Sequence, residues 1–354
     1  MARRLMAGKA LFLFFVLLTA FLYGACDRPK ETATANDQTA QAATQKSEPA
    51  LNFPAYSGTP PAFDGERAMQ YVKDIVKFGP RPIGSANHKK VEDYIYSRLK
   101  GDTVEDDAFT ADTPEGKFPV RNIIAKFPGT KDGIIVLASH YDTNYPLRNI
   151  PYVGANDGAS SSALLLEIAN QLRGKPRDGY SVWLVWDDAE EAMKPDTEMD
   201  FLKDSLYGIT HLAEKWEADG TLKRIKAFLL ADMIGDADLN VDRDAYSSPW
   251  LQKTVYEAAT RLGYQSHFFA RTLPMEDDHL PFLRRGVPSA DLIDFTYGYN
   301  LVFWHTKEDT VDKLSPKSIA IVGSVMLETI RILDGMEQLP PPGAAVQGEP
   351  VPLK

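Results

Sequence analysis

The chain has 354 residues, of which 44% are apolar and 25% charged, and its formal net charge at pH 7 is −10. This is the composition of a globular protein able to bury a core, and the acidity argues against a nucleic-acid surface or an anionic membrane face as main partner. A single cysteine, Cys26, excludes an intramolecular disulfide.

In chain order, Arg3, Arg4 and Lys9 precede the apolar run Ala10 to Leu22, and the small residues Gly24 and Ala25 lead into Cys26. Residues 1–26 read as an export signal. Cys26 resembles the lipid-attachment site of a bacterial lipoprotein, although Tyr23 stands where such signals usually carry leucine. A plain signal peptide or an uncleaved anchor is the alternative. The expected location is the periplasm or cell envelope, with the membrane a partner only through that anchor. Residues 27–61 are rich in Ala, Thr, Gln, Ser and Pro and read as a disordered tether, as does the tail 338–354. Between them, 62–337 reads as one continuous domain without an internal repeat.

Within it Asp64 is placed to cap a helix reaching about Lys77. The segment FGPRPIGS breaks that helix before a second one from Ala86 to Leu99. The stretch VEDDAFTADTPEGKFPVRNIIAKF alternates as an antiparallel strand pair. Three apolar runs follow, GIIVLAS (133–139), YSVWLVW (180–186) and IKAFLLA (225–231), separated by helical stretches such as ASSSALLLEIANQL (159–172). A helix from Pro316 to about Met336 closes the domain. Apolar strands alternating with helices predict an α/β, three-layer fold: a mixed, mostly parallel twisted sheet with helices on both faces.

Each apolar run ends in polar residues: HYDTN from 140, DDAEE from 187 and DMIGD from 232. In such sheets ligands bind beyond the carboxyl ends of the strands, so these three groups converge there. Asp157 in VGANDGAS and His305 in FWHTKEDT complete a set of nitrogen and oxygen ligands: His140, Asp157, Glu191, Asp232 and His305. Two carboxylates about 5 Å apart repel by about 3 kcal/mol at an effective dielectric near 20. The four acids of WDDAEEA therefore need open water or a cation, and Trp183 and Trp186 mark the preceding strand as buried. Imidazole and carboxylate ligands point first to zinc. Asp142 is spaced to accept a hydrogen bond from the far ring nitrogen of a metal-bound His140. Of the adjacent glutamates, Glu191 is assigned to the metal and Glu190 to proton transfer.

His88, on a helix read as exposed, His211 and His267 are assigned to packing or surface. Beside His279, Asp277 or Asp278 is the better functional candidate. Ser160 to Ser162 lack the G-x-S-x-G setting of a nucleophile and read as the small-residue start of a helix packed near the site.

The order HYD, GANDGAS, EE, DMIG, DDHLPF with G-V-P, and WHT resembles the zinc aminopeptidase family, from GPRPIGS at 79–85 through the last helix. Two stretches, DSLYGITHLAEKW (204–216) and EDDHLPFLRRGVPSADLI (276–293), resemble its glutaminyl-peptide cyclotransferase branch. That resemblance implies a zinc-dependent acyltransferase that turns an N-terminal glutamine of peptide or protein substrates into pyroglutamate with loss of ammonia. It implies Asp157, Glu191 and His305 as ligands of one zinc, Glu190 as general acid and base, Asp232 and Asp277 in the catalytic hydrogen-bond network, and Trp304 lining the substrate pocket. The alternative is a di-zinc aminopeptidase, with His140 and Asp232 holding a second ion; a non-catalytic binding domain of the same fold is the minor alternative. Asp291 stands where animal cyclases carry histidine, and the tryptophan they have after the glutamate pair is missing from AMKPDTEMDF.

Overall fold

The computed structural model describes residues 51–195 and 200–341. The stretch read as an export signal, Cys26 and the outer parts of the stretches read as tether and tail lie outside the described residues, among which no helix is long and apolar enough to cross a membrane.

Local sequence explains most element boundaries. Helix α1 (Gly65–Val76) starts where the Asp64 carboxylate accepts the Arg67 amide, and α2 (Ala86–Arg98) where the Ser85 hydroxyl accepts the His88 amide. Strands β1 (Thr103–Thr113) and β2 (Gly116–Phe127) form the expected antiparallel hairpin. Then come β3 (Lys131–His140), α3 (Ala159–Leu172), β4 (Tyr180–Asp187), the short α4 (Phe201–Asp204), α5 (Tyr207–Ala218) and β5 (Ile225–Asp232). The chain continues through β6 (Val241–Asp244), α6 (Pro249–Arg261), β7 (Phe268–Leu273), the short α7 (Leu280–Leu283), β8 (Ser289–Ile293) and α8 (Pro316–Gly335).

Six strands make one sheet in the order β1-β2-β4-β3-β5-β8, while β6 and β7 pair separately. Neighbours β4, β3, β5 and β8 run parallel, and β2 joins β4 antiparallel. The chain leaves β3 for β4 on one side and later returns past it to β5 on the other. This is the topological switch at which open α/β sheets leave a crevice beyond their strand ends.

The side chains of the parallel strands alternate between two apolar layers. Ile135, Leu137, Leu184, Trp186 and Leu229 face the layer built with α1, α3, α6 and α8. Ile134, Val136, Val185, Phe228 and Leu230 face the layer containing α5 and Phe282 of α7. Burial on both faces is why these strands read as continuous apolar runs. Trp183 is only partly buried and lies under the Lys126 ammonium, 4.0 Å from the ring centroid; Trp186 is fully buried. Residues 51–61, inside the stretch read as a tether, form no helix or strand yet lie against the domain, because Leu51 and Phe53 supply apolar surface and Arg261 donates to the Pro54 carbonyl.

Candidate active site and metal centre

The three central strands end side by side. His140 and Asp187 are register partners across β3 and β4, and Asp232 ends β5. After β4 the backbone turns sharply, with Ala189 at φ 58°, and this aims Glu190 and Glu191 back over the sheet. Met233 after Asp232 (φ 46°) and His305 itself (φ 52°) also occupy the left-handed region. Three non-glycine residues held there around one crevice are the kind of stored strain that functional sites carry.

Asp157 arrives from the loop before α3. Gly158, at φ +84°, is required at this point: a Cβ there would meet His140 Cε1 at 2.9 Å and the Asp142 carbonyl oxygen at 3.0 Å. The loop is clasped by Arg81, which is fully buried. Its guanidinium donates to the carbonyls of Tyr141 (2.7 Å), Val153, Gly154 (2.9 Å) and Asp157 (3.2 Å). Asp309, from the WHTKEDT segment, accepts the amides of Asn156 and Asp157 at 2.8 and 3.2 Å and the Tyr297 hydroxyl at 2.7 Å.

The assembled side chains meet as follows. His305 Nε2 lies 3.5 Å from Asp157 Oδ2 and 3.3 Å from Glu191 Oε2. His140 Nε2 lies 3.3 Å from Asp157 Oδ1 and 3.2 Å from Asp232 Oδ1. His140, Asp157 and Glu191 each offer a ligand atom within 4.8 Å of the others. All five predicted ligands therefore face one space, with Asp157 between the His305–Glu191 side and the His140–Asp232 side. Tyr152 donates its hydroxyl to Asp157 Oδ2 at 2.5 Å, and the Asn144 amide donates to Glu191 Oε2 at 3.0 Å.

The electrostatics favour a cation here. Burial, with the charge of Asp157, pushes Glu191 up to about 7. Burial also raises Asp157, but the hydrogen bond from His140 and the charges of His305 and His140 outweigh it and bring it down to about 2. Glu191 Oε1 and His140 Nδ1 are buried without a hydrogen-bond partner. Unsatisfied buried donors and acceptors are costly, and a borderline cation suits this set of imidazole and carboxylate atoms. The residues fit zinc.

Glu190 stands beside this group, its Oε2 3.8 Å from His140 Nδ1. Burial, reinforced by Glu191 and Asp277 and opposed by His140, holds its pKa well above the ordinary carboxylate range. Asp142 does more than its spacing implied. It lies 3.5 Å from His140 Nδ1 and also accepts the backbone amides of Glu190 and Glu191 at 3.3 and 3.4 Å, tying the glutamate turn to β3. Burial and the adjacent Asp232 raise Asp277 strongly; burial raises Asp232 against the pull of His140.

A cavity of about 540 Å³ opens over these groups. Glu190, Glu191, Asp232 and Asp277 line its polar side, and Met233, Met275, Ile293, Phe295 and Trp304 its apolar side. Trp304 stacks on the His305 ring, centroids 3.9 Å apart, and meets Phe295 edge-on at 5.2 Å. The apolar wall can hold an uncharged side chain while the acids face its polar end.

Some residues differ from the sequence expectation. His88 is buried and not on an exposed helix face: its Nε2 lies 2.6 Å from Asp188 Oδ1, and its ring stacks on Tyr141. The expected exposure fails because α2 packs over the end of β4. Asp188 faces no water; it also accepts the Arg121 amide at 2.8 Å. His211 packs, stacked on Phe109 with Nδ1 2.9 Å from Asp107, and His267 bonds the Leu239 carbonyl. Ser160 and Ser162 donate to the Asn156 and His140 carbonyls at the start of α3, beside the site. Asp291 is fully buried, 3.9 Å from His279, whose other nitrogen lies 3.1 Å from Asp244. Residues 196–199, within the AMKPDTEMDF stretch that follows the glutamate pair, lie outside the described residues. Sequence reasoning passed over Arg81, Tyr152, Asn144 and Asp309. Arg81 alone had a signal, a cation between two prolines in GPRPIGS.

The profile of peptidase family M28 matches residues 122–330. The glutaminyl-peptide cyclotransferase of Drosophila melanogaster is 31% identical over 69% of this chain and 75% of its own. Among solved structures, a glutaminyl cyclase from an Acidobacteriales bacterium superposes with a TM-score of 0.75 at 49% identity, covering 80% of this chain and 99% of its own. A Zn-dependent exopeptidase from Parabacteroides distasonis superposes with a TM-score of 0.70 at 27% identity, over 77% and 99% respectively.

Proposed function

The chain belongs to peptidase family M28, on its glutaminyl cyclase branch, and from that premise we propose that it is a zinc-dependent glutaminyl-peptide cyclotransferase. Its substrates are peptides or proteins with N-terminal glutamine, and its products are the pyroglutamyl chain and ammonia. One observation carries the reading: Asp157, Glu191 and His305 converge beside Glu190, so a cation site and a proton-carrying carboxyl face the same small, half-apolar cavity.

Zinc held by Asp157, Glu191 and His305 supplies Lewis-acid polarisation of the glutamine side-chain amide. Trp304, Phe295 and the apolar wall hold the side chain folded and limit the water that would compete with cyclisation. Glu190 takes a proton from the substrate α-amine as that nitrogen bonds to the amide carbon, and delivers a proton to the departing ammonia as the old carbon–nitrogen bond breaks. A carboxyl raised toward neutrality is suited to both transfers. Asp277, whose carboxyl is pushed well above the ordinary carboxylate range by burial and by the adjacent Asp232, offers a hydrogen bond to the reacting groups from the other wall.

The geometry also supports a second reading. His140 lies 3.3 Å from Asp157 and 3.2 Å from Asp232, and these residues would hold a second ion in an aminopeptidase. Metal content of the purified protein, measured beside turnover of a glutamine-initiated peptide and of a leucine anilide, separates the two. One zinc with ammonia release and no anilide cleavage supports the cyclase; two zincs with efficient leucine release overturn it. We also propose export and lipid attachment at Cys26; mass spectrometry of the membrane-associated protein lacking an acyl group there would overturn the attachment.

A further inference from the structure

Two acids remain outside the site as described. Asp187 ends β4, three residues before Glu190, and Asp278 follows Asp277 in the loop leading to α7. Neither lines the cavity, and both are fully buried. All four of their carboxyl oxygens lack a donor from any other residue. Each carboxyl instead lies within hydrogen-bonding reach of the other.

A carboxylate buried without a donor is unfavourable, and two ionised carboxylates in contact more so. One arrangement satisfies both groups: a single proton lies between them, and one carboxyl donates to the other. The surroundings agree. His140 and Asp142 face Asp187 from the end of β3, and Glu190 and Asp277 face Asp278. Among these acids a neutral–anionic pair adds one negative charge where two ionised groups would add two.

The pair links segments that are distant in the sheet. β4 and the strand after α7, β8, are separated by β3 and β5. We propose that Asp187 and Asp278 are positioning residues: their carboxyl-to-carboxyl hydrogen bond ties the turn bearing Glu190 to the loop bearing Asp277 and sets the spacing across which those two groups act. The inference rests on the cyclase reading for what Glu190 and Asp277 do, but not for the hydrogen bond itself.

The test uses zinc-loaded protein. Asp187→Asn and Asp278→Asn each keep an amide donor opposite a carboxylate, so the clasp survives and kcat should stay within roughly 3-fold of wild type, no more than the net worth of one neutral hydrogen bond. The pair Asp187→Val with Asp278→Leu fills the space without a hydrogen bond and should fold, as apolar replacement of buried polar pairs often does. Its kcat should fall by roughly 10–100-fold, the scale of a misplaced catalytic group, with KM and zinc content unchanged. Wild-type kcat in the apolar pair, or an equal loss in the Asn variants, overturns the proposal. A second readout is independent of turnover: the infrared difference spectrum of wild type minus Asp187→Asn should contain a protonated carboxyl band, and two ionised carboxylates there would overturn the clasp even if no cyclisation were found. Absence of wild-type cyclisation with that band present would count against the cyclase reading alone.

Discussion

Replacing Glu190 by Gln separates the two glutamates. The amide is nearly isosteric, and the side-chain contact it perturbs is the 3.8 Å approach to His140 Nδ1. The backbone ties remain: the Glu190 amide still donates to Asp142 at 3.3 Å, and its carbonyl still accepts from the Leu206 amide at 2.9 Å. Since burial already disfavours the charged form of Glu190, a neutral amide should leave thermal stability equal or higher. Loss of a positioned acid–base group lowers the rate about 10²–10⁴-fold, or about 3–5 kcal/mol in the barrier. Glu191→Gln should behave differently, because it removes a charged oxygen 3.3 Å from His305. Its zinc affinity should drop by more than the roughly 10–100-fold that losing a mere supporting hydrogen bond costs. The assay is ammonia release at saturating peptide beside zinc content after dialysis. If Glu190→Gln lost zinc while Glu191→Gln kept it, the roles would be exchanged; if Glu190→Gln kept a tenth or more of wild-type kcat, Glu190 would not be the proton carrier.

Other outcomes follow from the same contacts. Tyr152→Phe removes the 2.5 Å hydrogen bond to Asp157 and should weaken zinc binding about 10–100-fold in a chelator competition, with near-normal kcat when zinc saturates. Arg81→Lys leaves several carbonyls of the Asp157 loop without donors and should lower unfolding stability by about 3 kcal/mol in denaturant titration. Chelation of the metal should abolish turnover, and added zinc should restore it. Burial raises Asp294 from 3.8 to about 6, so the fold binds its proton more tightly than the unfolded chain does. That contribution is complete below the unfolded pKa and is lost as pH rises through the folded one, about 3 kcal/mol in all. Asp294→Asn should therefore gain stability relative to wild type between about pH 4 and 7, and a flat difference between their melting temperatures would refute the assignment.

The sequence made some of this legible and hid the rest for identifiable reasons. The strands β3, β4 and β5 were readable because burial on both faces leaves long apolar runs, and the crevice followed because polar residues end all three. The small β6–β7 pair was not readable: VDRD is four residues without an apolar run. WDDAEEA marks the limit most clearly. Its two aspartates look equivalent in sequence, yet strand side chains alternate faces. Val185 points into the layer with α5 and Phe282, and Trp186 into the layer with α1 and α3. Continuing the alternation sends Asp187 toward the loop before α7, where Asp278 waits, and Asp188 toward α2, where His88 waits. The opposite directions were deducible from a two-residue period. The partners were not, because His88 lies 100 positions from Asp188 and only the packing of α2 over the end of β4 brings it there. Four acids that seemed to call for one cation are thus divided by alternation and by the turn at Ala189: two for the cavity, one for a buried histidine, one for a second carboxyl.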